Sequence, residues 1–459
     1  MKITRRTTAP RTDAPKPAPT NRSRLRGSLK SVSALQTAGG EMEDGSLLDL
    51  VLPAGTDGLM LVRRTGSQFS GPSREITVGT KQYRPAEWDQ SWLRAVRFPR
   101  MVGVARRTSE IFEEVCAFLR NGVSFDPGAV ELVAAFALCT WFTDILEFAP
   151  SLWLRAPDAL DRLDVLQRLA YSCRRAVRLS ECRPATLPNI PCELKPTILI
   201  EADPASSVLP VLALTGRRGF YLPRSGRALD YSFTLGIVSG DWPRTDMPLL
   251  KLDLPFGSTR QRSPDGLEKA GEELQANLLR YRLDHYRQVR KPSSDSVPFT
   301  GSVQLLATSL TKCIDDGALR AALLAELQRH DQEIRPELTA DSDAIAVEAL
   351  LAACHESRDE ITVGELTKLG NLILVDRGES PRFTYRGFGA MLRKLGINQL
   401  RRTNVGFSLT IDTTVRLSVH RLAKKYCVSS LPQSGCVECA ACEPAEVPDF
   451  SEHRERGEH

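Results

Sequence analysis

Four short apolar runs, at residues 152–154, 197–200, 229–238 and 249–254, restrict the possible fold of this chain more than any other feature. Between them, residues 160–179 and 208–213 carry apolar side chains at helical spacing. Strands this short and this continuously apolar are buried on both faces. Alternating with helices, they specify a mainly parallel sheet covered on both sides, so the predicted class is α/β. Upstream, Ile111, Phe112, Val115, Phe118 and Leu119 form one helical stripe, with Thr108 as its predicted cap. Asp126-Pro127 is predicted to open a second, buried helix running to about residue 145. Downstream, the pattern predicts a charged helix at 263–289, a long helix or helix pair at 303–328, a break at 336–339 and a helix at 343–354. Strand-like pieces at 59–62 and 75–79 point to a small β-rich unit.

A chain of 459 residues has material for two or three domains. Its 61 basic and 56 acidic residues are too nearly balanced to imply nucleic acid by themselves. Distribution says more. The first 30 residues hold nine cations against Asp13 alone, with no apolar region of a secretory signal, and are expected to form a disordered basic arm. The longest uncharged apolar stretch, 132–143, is too short for a bilayer, which needs roughly 20 residues. A cytoplasmic protein with reduced thiols is expected, since its eleven cysteines are odd in number and form no regular framework.

Three motifs follow one another through the α/β region. The first is Thr140-Trp141-Phe142-Thr143-Asp144, followed by the strand Ser151-Leu152-Trp153-Leu154-Arg155 and then Asp158-Ala159-Leu160-Asp161-Arg162-Leu163-Asp164. The second is the strand Thr197-Ile198-Leu199-Ile200, ending in Glu201-Ala202-Asp203. The third is the turn Gly216-Arg217-Arg218-Gly219. Their order and spacing resemble a family of bacterial phage- and mobile-element P-loop ATPases, of the primase- or helicase-associated kind.

The resemblance implies a P-loop NTPase-like core with helical insertions and a C-terminal winged helix. It also implies that this member is degenerate. The family's phosphate-loop Gly, Lys and Thr fall on Arg162, Leu163 and Asp164. A phosphate cradle needs glycines for close backbone approach, a lysine at the β/γ-phosphates and a hydroxyl on the metal. None remains, and the aspartates repel a triphosphate. The same residues are what an ordinary capped helix requires. Glu201 and Asp203 are vestiges of the acids that hold Mg²⁺ and orient water, or simple strand-end acids. Arg217 and Arg218 correspond to the family's arginine turn, or are plain exposed turn residues.

Residues 357–428 carry the winged-helix pattern directly. Thr384 caps a helix containing Phe388, Met391, Leu392 and Leu395, and Gly396 ends it. Thr403-Asn404-Val405-Gly406 then joins two strands as a wing hairpin. Between 386 and 425 nine cations face Asp412 alone, a net of 9 − 1 = +8. Arg386, Arg393, Lys394, Arg401, Arg402, Arg421, Lys424 and Lys425 are the candidate DNA contacts, with Arg416 the ninth cation. Winged helices also serve as protein-docking modules. In the acidic tail, Cys436, Cys439 and Cys442, with Cys427 nine positions before the first, have a spacing that can hold zinc. No other cofactor is expected.

The expected division is a basic arm and linker at 1–44, a small unit at 45–103, the ATPase-like core at 104–262, a helical region at 263–356, the winged helix at 357–428 and a Cys-containing tail at 429–459. The function this implies is a noncatalytic DNA-binding or assembly protein, with duplex DNA, protein partners or self-association and no membrane. A residual ATP-dependent motor and a scaffold without nucleic acid are the alternatives.

Overall fold

The computed structural model describes residues 34–428, except 184, 202–207, 220, 225–226, 231, 241–248, 256–263, 292–296, 298, 300, 340–341, 357, 405 and 427. The predicted basic arm lies outside the described residues.

The chain begins with seven strands: β1 (Leu35–Thr37), β2 (Gly40–Glu41), β3 (Leu47–Val51), β4 (Met60–Thr65), β5 (Gln68–Ser73), β6 (Ile76–Val78) and β7 (Lys81–Pro85). Strands β2 to β5 form a meander in sequence order, and β1, β7 and β6 form a second small sheet. Two of these strands, β1 and β2, lie in the stretch expected to be linker.

Helices α1 (Gln90–Ala95), α2 (Thr108–Arg120) and α3 (Ala129–Thr140) follow. Thr108 does not cap α2; Arg107 occupies that position, and the Thr108 hydroxyl bonds to Asp315. Helix α3 starts only after Gly128, whose φ of 82° places it in the left-handed region. Pro127 therefore stands before the helix rather than in its first turn.

The α/β body contains β8 (Ser151–Arg155), α4 (Ala159–Ser172), β9 (Ala176–Leu179), β10 (Thr197–Ile200), α5 (Leu209–Thr215), β11 (Tyr221–Arg224), β12 (Arg227–Asp230), β13 (Thr234–Ser239) and β14 (Leu249–Asp253). Five of the strands form one sheet in the order β14-β8-β13-β10-β9, and every neighbouring pair is parallel. Strand β9 was hidden in the helix expected at 160–179. The reason is that Val165, Leu166, Leu169, Ala170, Cys173, Ala176 and Val177 are all buried and keep helical spacing across the true helix end. The turn at Arg174 and Arg175, with Arg175 at φ 49°, reverses the chain between them. The run at 229–238 likewise splits, into β12 and β13, around the buried Phe233.

Alternation along the strands sorts the core into two layers. Leu152, Leu154, Leu199, Val238, Leu250 and Leu252 join the apolar cluster of α2, α3, α4 and the later helices. Trp153, Ile198, Ile200, Leu235 and Ile237 join the opposite cluster, with Leu48, Leu50 and Leu61 of the N-terminal meander and Leu212 of α5. Gly236 is required where α3 crosses: a Cβ there would come within 2.8 Å of Leu199, with Phe136 beyond.

The helices that complete the body are α6 (Pro264–Arg290), α7 (Gly301–Lys312) and α8 (Gly317–Thr339). The break expected at 336–339 is the last turn of α8. Beyond it come α9 (Ser342–His355), β15 (Glu360–Thr362), α10 (Val363–Asp376), α11 (Tyr385–Lys394), β16 (Leu400–Thr403), β17 (Gly406–Thr410) and α12 (Thr413–Lys425). The three strands form an antiparallel sheet in the order β15-β17-β16. Ala346, Leu350, Leu366, Phe388, Leu392, Leu409 and Val419 make one core, so α9 belongs to this unit although it precedes residue 357. A reciprocal cap starts α10: Glu365 N donates to Thr362 Oγ1 at 3.1 Å, and Thr362 N to Glu365 Oε2 at 2.9 Å. Gly396, with φ 86°, ends α11 as its sequence position predicts. Among the described residues no helix is long and apolar enough to cross a membrane.

Candidate functional site

At the carboxyl edge of the parallel sheet, β8 is followed by α4 after only Ala156, Pro157 and Asp158. Ala156 is buried, and its N–H donates to Ser239 O at the end of β13, 2.8 Å away. Asp158 caps α4 and accepts from Leu160 N at 2.6 Å and Asp161 N at 3.3 Å. These are the orphan amides that would bind a phosphate at a helix N-terminus. Arg162 folds back over the same connection, donating to the carbonyls of Ala156 at 2.9 Å and Pro157 at 3.0 Å. A wrapped phosphate loop spans eight motif residues. Three residues, closed by a capping acid and a side-chain bridge, leave no such cradle. Replacing Asp158 with alanine is expected to cost about 1 kcal/mol of stability, measured by urea unfolding. A change indistinguishable from zero would mean that the cap is not formed.

Arg162, Leu163 and Asp164 all lie within α4. Asp164 is buried, as is Asp161, whereas Leu163 faces outward. On the neighbouring strand ends, Arg155 is taken up by a two-pronged contact with Asp253, Nη2 lying 2.9 Å from Oδ2. Glu201 follows β10, two strands from β8 and so about 10 Å across the sheet. Its carboxylate is half-exposed and 4.0 Å from Arg178, a separation at which an ion pair adds little. Asp203 lies outside the described residues. Arg217 and Arg218 are exposed, and their backbones pair with Phe148 and Glu147 just ahead of β8. Their turn is thus at the amino end of β8, opposite the Ala156–Asp158 connection.

A charge cluster that sequence reasoning missed lies at the amino edge of the sheet, where β9 and β10 begin. Asp49 of β3 is buried among three arginines: Arg175 Nη2 at 2.6 Å, Arg282 Nε at 2.7 Å and Arg174 Nη2 at 3.2 Å. Arg282 also grips Asp144 through both terminal nitrogens, at 2.8 and 2.7 Å, and Tyr286 donates to the same carboxylate. Arg175 reaches the carbonyls of Leu194 and Ala38 as well. Burial alone would raise both carboxyl pKa values, but the guanidiniums overcome it. Arg174, Arg175 and Arg282 hold Asp49 well below the usual carboxylate range, and Arg282 and Arg174 bring Asp144 to about 2. The cluster ties the N-terminal strands, the turn after α3, the α4–β9 turn and α6 to one another. Asp144 was quoted in the first motif, but its partners are 30 and 138 residues away, so spacing could not reveal them.

In the C-terminal unit Arg386, Arg393, Arg401, Arg402, Arg421, Lys424 and Lys425 are exposed. Lys394 meets Asp343 of α9 at 2.5 Å. Arg416 faces inward and donates to Arg358 O at 3.0 Å and to the Cys354 carbonyl, so it holds α12 to the α9 end. Arg401 and Arg402 are adjacent in the chain but occupy opposite faces of the hairpin. Arg401 is opposite Ser408 and Arg402 opposite Phe407. Arg393 lies over the Phe407 ring, 5.8 Å from its centroid.

The expected zinc site is withdrawn. Among the described residues no group of three or more His, Cys, Asp or Glu side chains can hold a metal ion. Cys427, Cys436, Cys439 and Cys442 lie outside those residues. Cys116, Cys139, Cys173, Cys182, Cys192, Cys313 and Cys354 are buried and in no disulfide. Burial raises the thiol of Cys173 to about 12, which makes it a core residue rather than a ligand.

No protein-family model and no curated protein matches the chain. Among solved structures, the apo C-terminal region of NrS-1 is similar over 80% of this chain and 96% of its own, at 8% identity and a TM-score of 0.32. DNA-bound Drosophila ORC is similar over 68% of this chain and 91% of its own, at 12% identity and a TM-score of 0.18. Cdc6p from Pyrobaculum aerophilum gives 66% and 95%, at 12% identity and 0.17. These distant likenesses go no further than general fold. The class itself is read from the strand order: an α/β fold with a mainly parallel sheet and helical insertions.

Proposed function

We propose that the chain is a noncatalytic, P-loop-derived protein that binds DNA or assembles on it, related to the replication ATPases of phages and mobile elements. DNA contact is assigned to the C-terminal unit, read as a winged helix with α11 as its groove-facing helix and β16–β17 as its wing. The observation that carries this is the exposed cationic surface of α11, the hairpin and α12, where Arg393 lies over the Phe407 ring and Arg402 is the cross-strand partner of Phe407. Titration of a labelled duplex tests it. Binding should weaken steeply as salt rises, because neutralised phosphates release condensed counterions. Absence of binding at low salt would remove the assignment. A docking reading would then gain, since Leu372 and Val375, one turn apart on α10, are exposed apolar residues.

The noncatalytic half rests on the three-residue connection closed by Asp158 and Arg162. Preorganised charge and a bound metal are the main catalytic means in phosphoryl transfer, and losing one donor can cost about 3 kcal/mol. Here the lysine and hydroxyl positions carry Leu163 and Asp164. No ATP turnover above that of a Glu201→Gln control is expected, and no appreciable binding of Mg-ATP. Steady hydrolysis abolished by Glu201→Gln would establish the motor reading instead.

A further inference from the structure

Phe407 stands one residue pair from the turn of the β16–β17 hairpin, near its tip, and is 44% exposed. It precedes Leu409 by two residues and therefore shares the hairpin face through which Leu409 enters the core. That face continues past the edge of the core and leaves a large ring in water. Two cations flank it. Arg402 is its cross-strand partner, and Arg393 comes from the last turn of α11. An isolated apolar ring on a surface would invite self-association, but this one is surrounded by like charge that a second copy would repel. A polyanion with flat apolar faces suits it better: the ring supplies a stacking surface and the guanidiniums supply phosphate contacts. Bases inside a duplex cannot use the ring, because their faces are already covered by their neighbours and only their edges reach the grooves.

We infer that the exposed part of the Phe407 ring, beside Arg393 and across the hairpin from Arg402, is a stacking platform for an unpaired nucleotide, so that the C-terminal unit prefers DNA in which a duplex adjoins a single strand. The inference rests on the DNA reading proposed above and adds the form of DNA recognised. Its test compares a blunt duplex with the same duplex carrying a short 3′ or 5′ overhang, by fluorescence anisotropy with the full chain. One overhang should bind at least about fivefold tighter than the blunt duplex, the low end of what stacking a single base contributes. Phe407→Ala should erase that preference, bringing the affinities for overhung and blunt DNA together, and Phe407→Trp should retain it. The side chain is exposed, so circular dichroism and the unfolding midpoint of both variants should match the wild type. Equal binding of blunt and overhung DNA by the wild type, or a preference that survives Phe407→Ala, would overturn the platform alone. Failure of the wild type to bind either DNA would instead overturn the DNA reading from which the platform follows.

Discussion

Replacing Asp49 with alanine should destabilise the protein by about 3–5 kcal/mol, the largest effect expected of any single substitution here. The carboxylate is buried and faces Arg174, Arg175 and Arg282. Removing it leaves three guanidiniums in the interior, with Asp144 still paired to Arg174 and Arg282 and only the Leu194 and Ala38 carbonyls bonded to Arg175. Such a charge cannot escape by deprotonation, because arginine keeps its proton in proteins. Asp49→Asn should be nearly as damaging, since it preserves shape and one acceptor oxygen but not the charge. Urea unfolding should show the midpoint falling with little change in slope. A loss below about 1 kcal/mol would mean that water or local rearrangement solvates the arginines, and that the cluster does not tie the strands to the helices.

The same cluster sets an acid dependence whose sign is fixed. Asp49 and Asp144 have folded pKa values below the usual 3.8. Each therefore binds its proton more readily when unfolded, and each contributes stability that is complete above about pH 4. For Asp144 this contribution is lost as pH falls towards 2. Asp144→Asn should flatten the fall in stability across that window while lowering stability at neutral pH. An unchanged acid profile in the variant would place the responsible carboxylates elsewhere.

The sheet was legible in the sequence wherever a strand was short and mainly apolar. Residues 152–154, 197–200 and 249–254 are β8, β10 and β14, and their alternation between two apolar layers follows from burial on both faces. Strand β9 was not legible, because its apolar residues continue the period of α4 and the signal that separates them is a backbone turn at Arg174 and Arg175. Local chemistry could be read to the residue at Thr384 and Gly396, but not at Thr108, whose expected cap position is taken by Arg107. Charge pairing could not be read at all. Asp49, Asp144 and Arg282 are far apart in the chain and meet only after the sheet, the N-terminal strands and α6 have packed. Composition across 386–425 showed a surplus of cations but not their faces. Arg416 and Lys394 are engaged within the unit, and Arg401 and Arg402 point apart.

That division of the cations makes the DNA assignment sharper than a count of charges. Arg393 lies over the Phe407 ring and Arg402 is the cross-strand partner of Phe407, so both belong to the hairpin face that carries the ring. Arg401 projects from the opposite face of the hairpin. Arg393→Ala with Arg402→Ala should therefore weaken duplex binding by on the order of tenfold to a hundredfold near 0.1 M salt, and reduce the log–log salt slope by about two units. Arg401→Ala should change affinity and slope much less than Arg402→Ala alone, although it removes the same formal charge from the same strand. Arg416→Ala should show the reverse pattern: lower stability of the C-terminal unit from loss of its bonds to the Cys354 and Arg358 carbonyls, with an unaltered slope for the folded protein. If all four positions lowered the slope equally, binding would follow net charge alone and no defined face of this unit would meet DNA. If the Arg393 and Arg402 pair had no effect while Arg421→Ala with Lys424→Ala did, the interface would lie along α12 rather than at the hairpin.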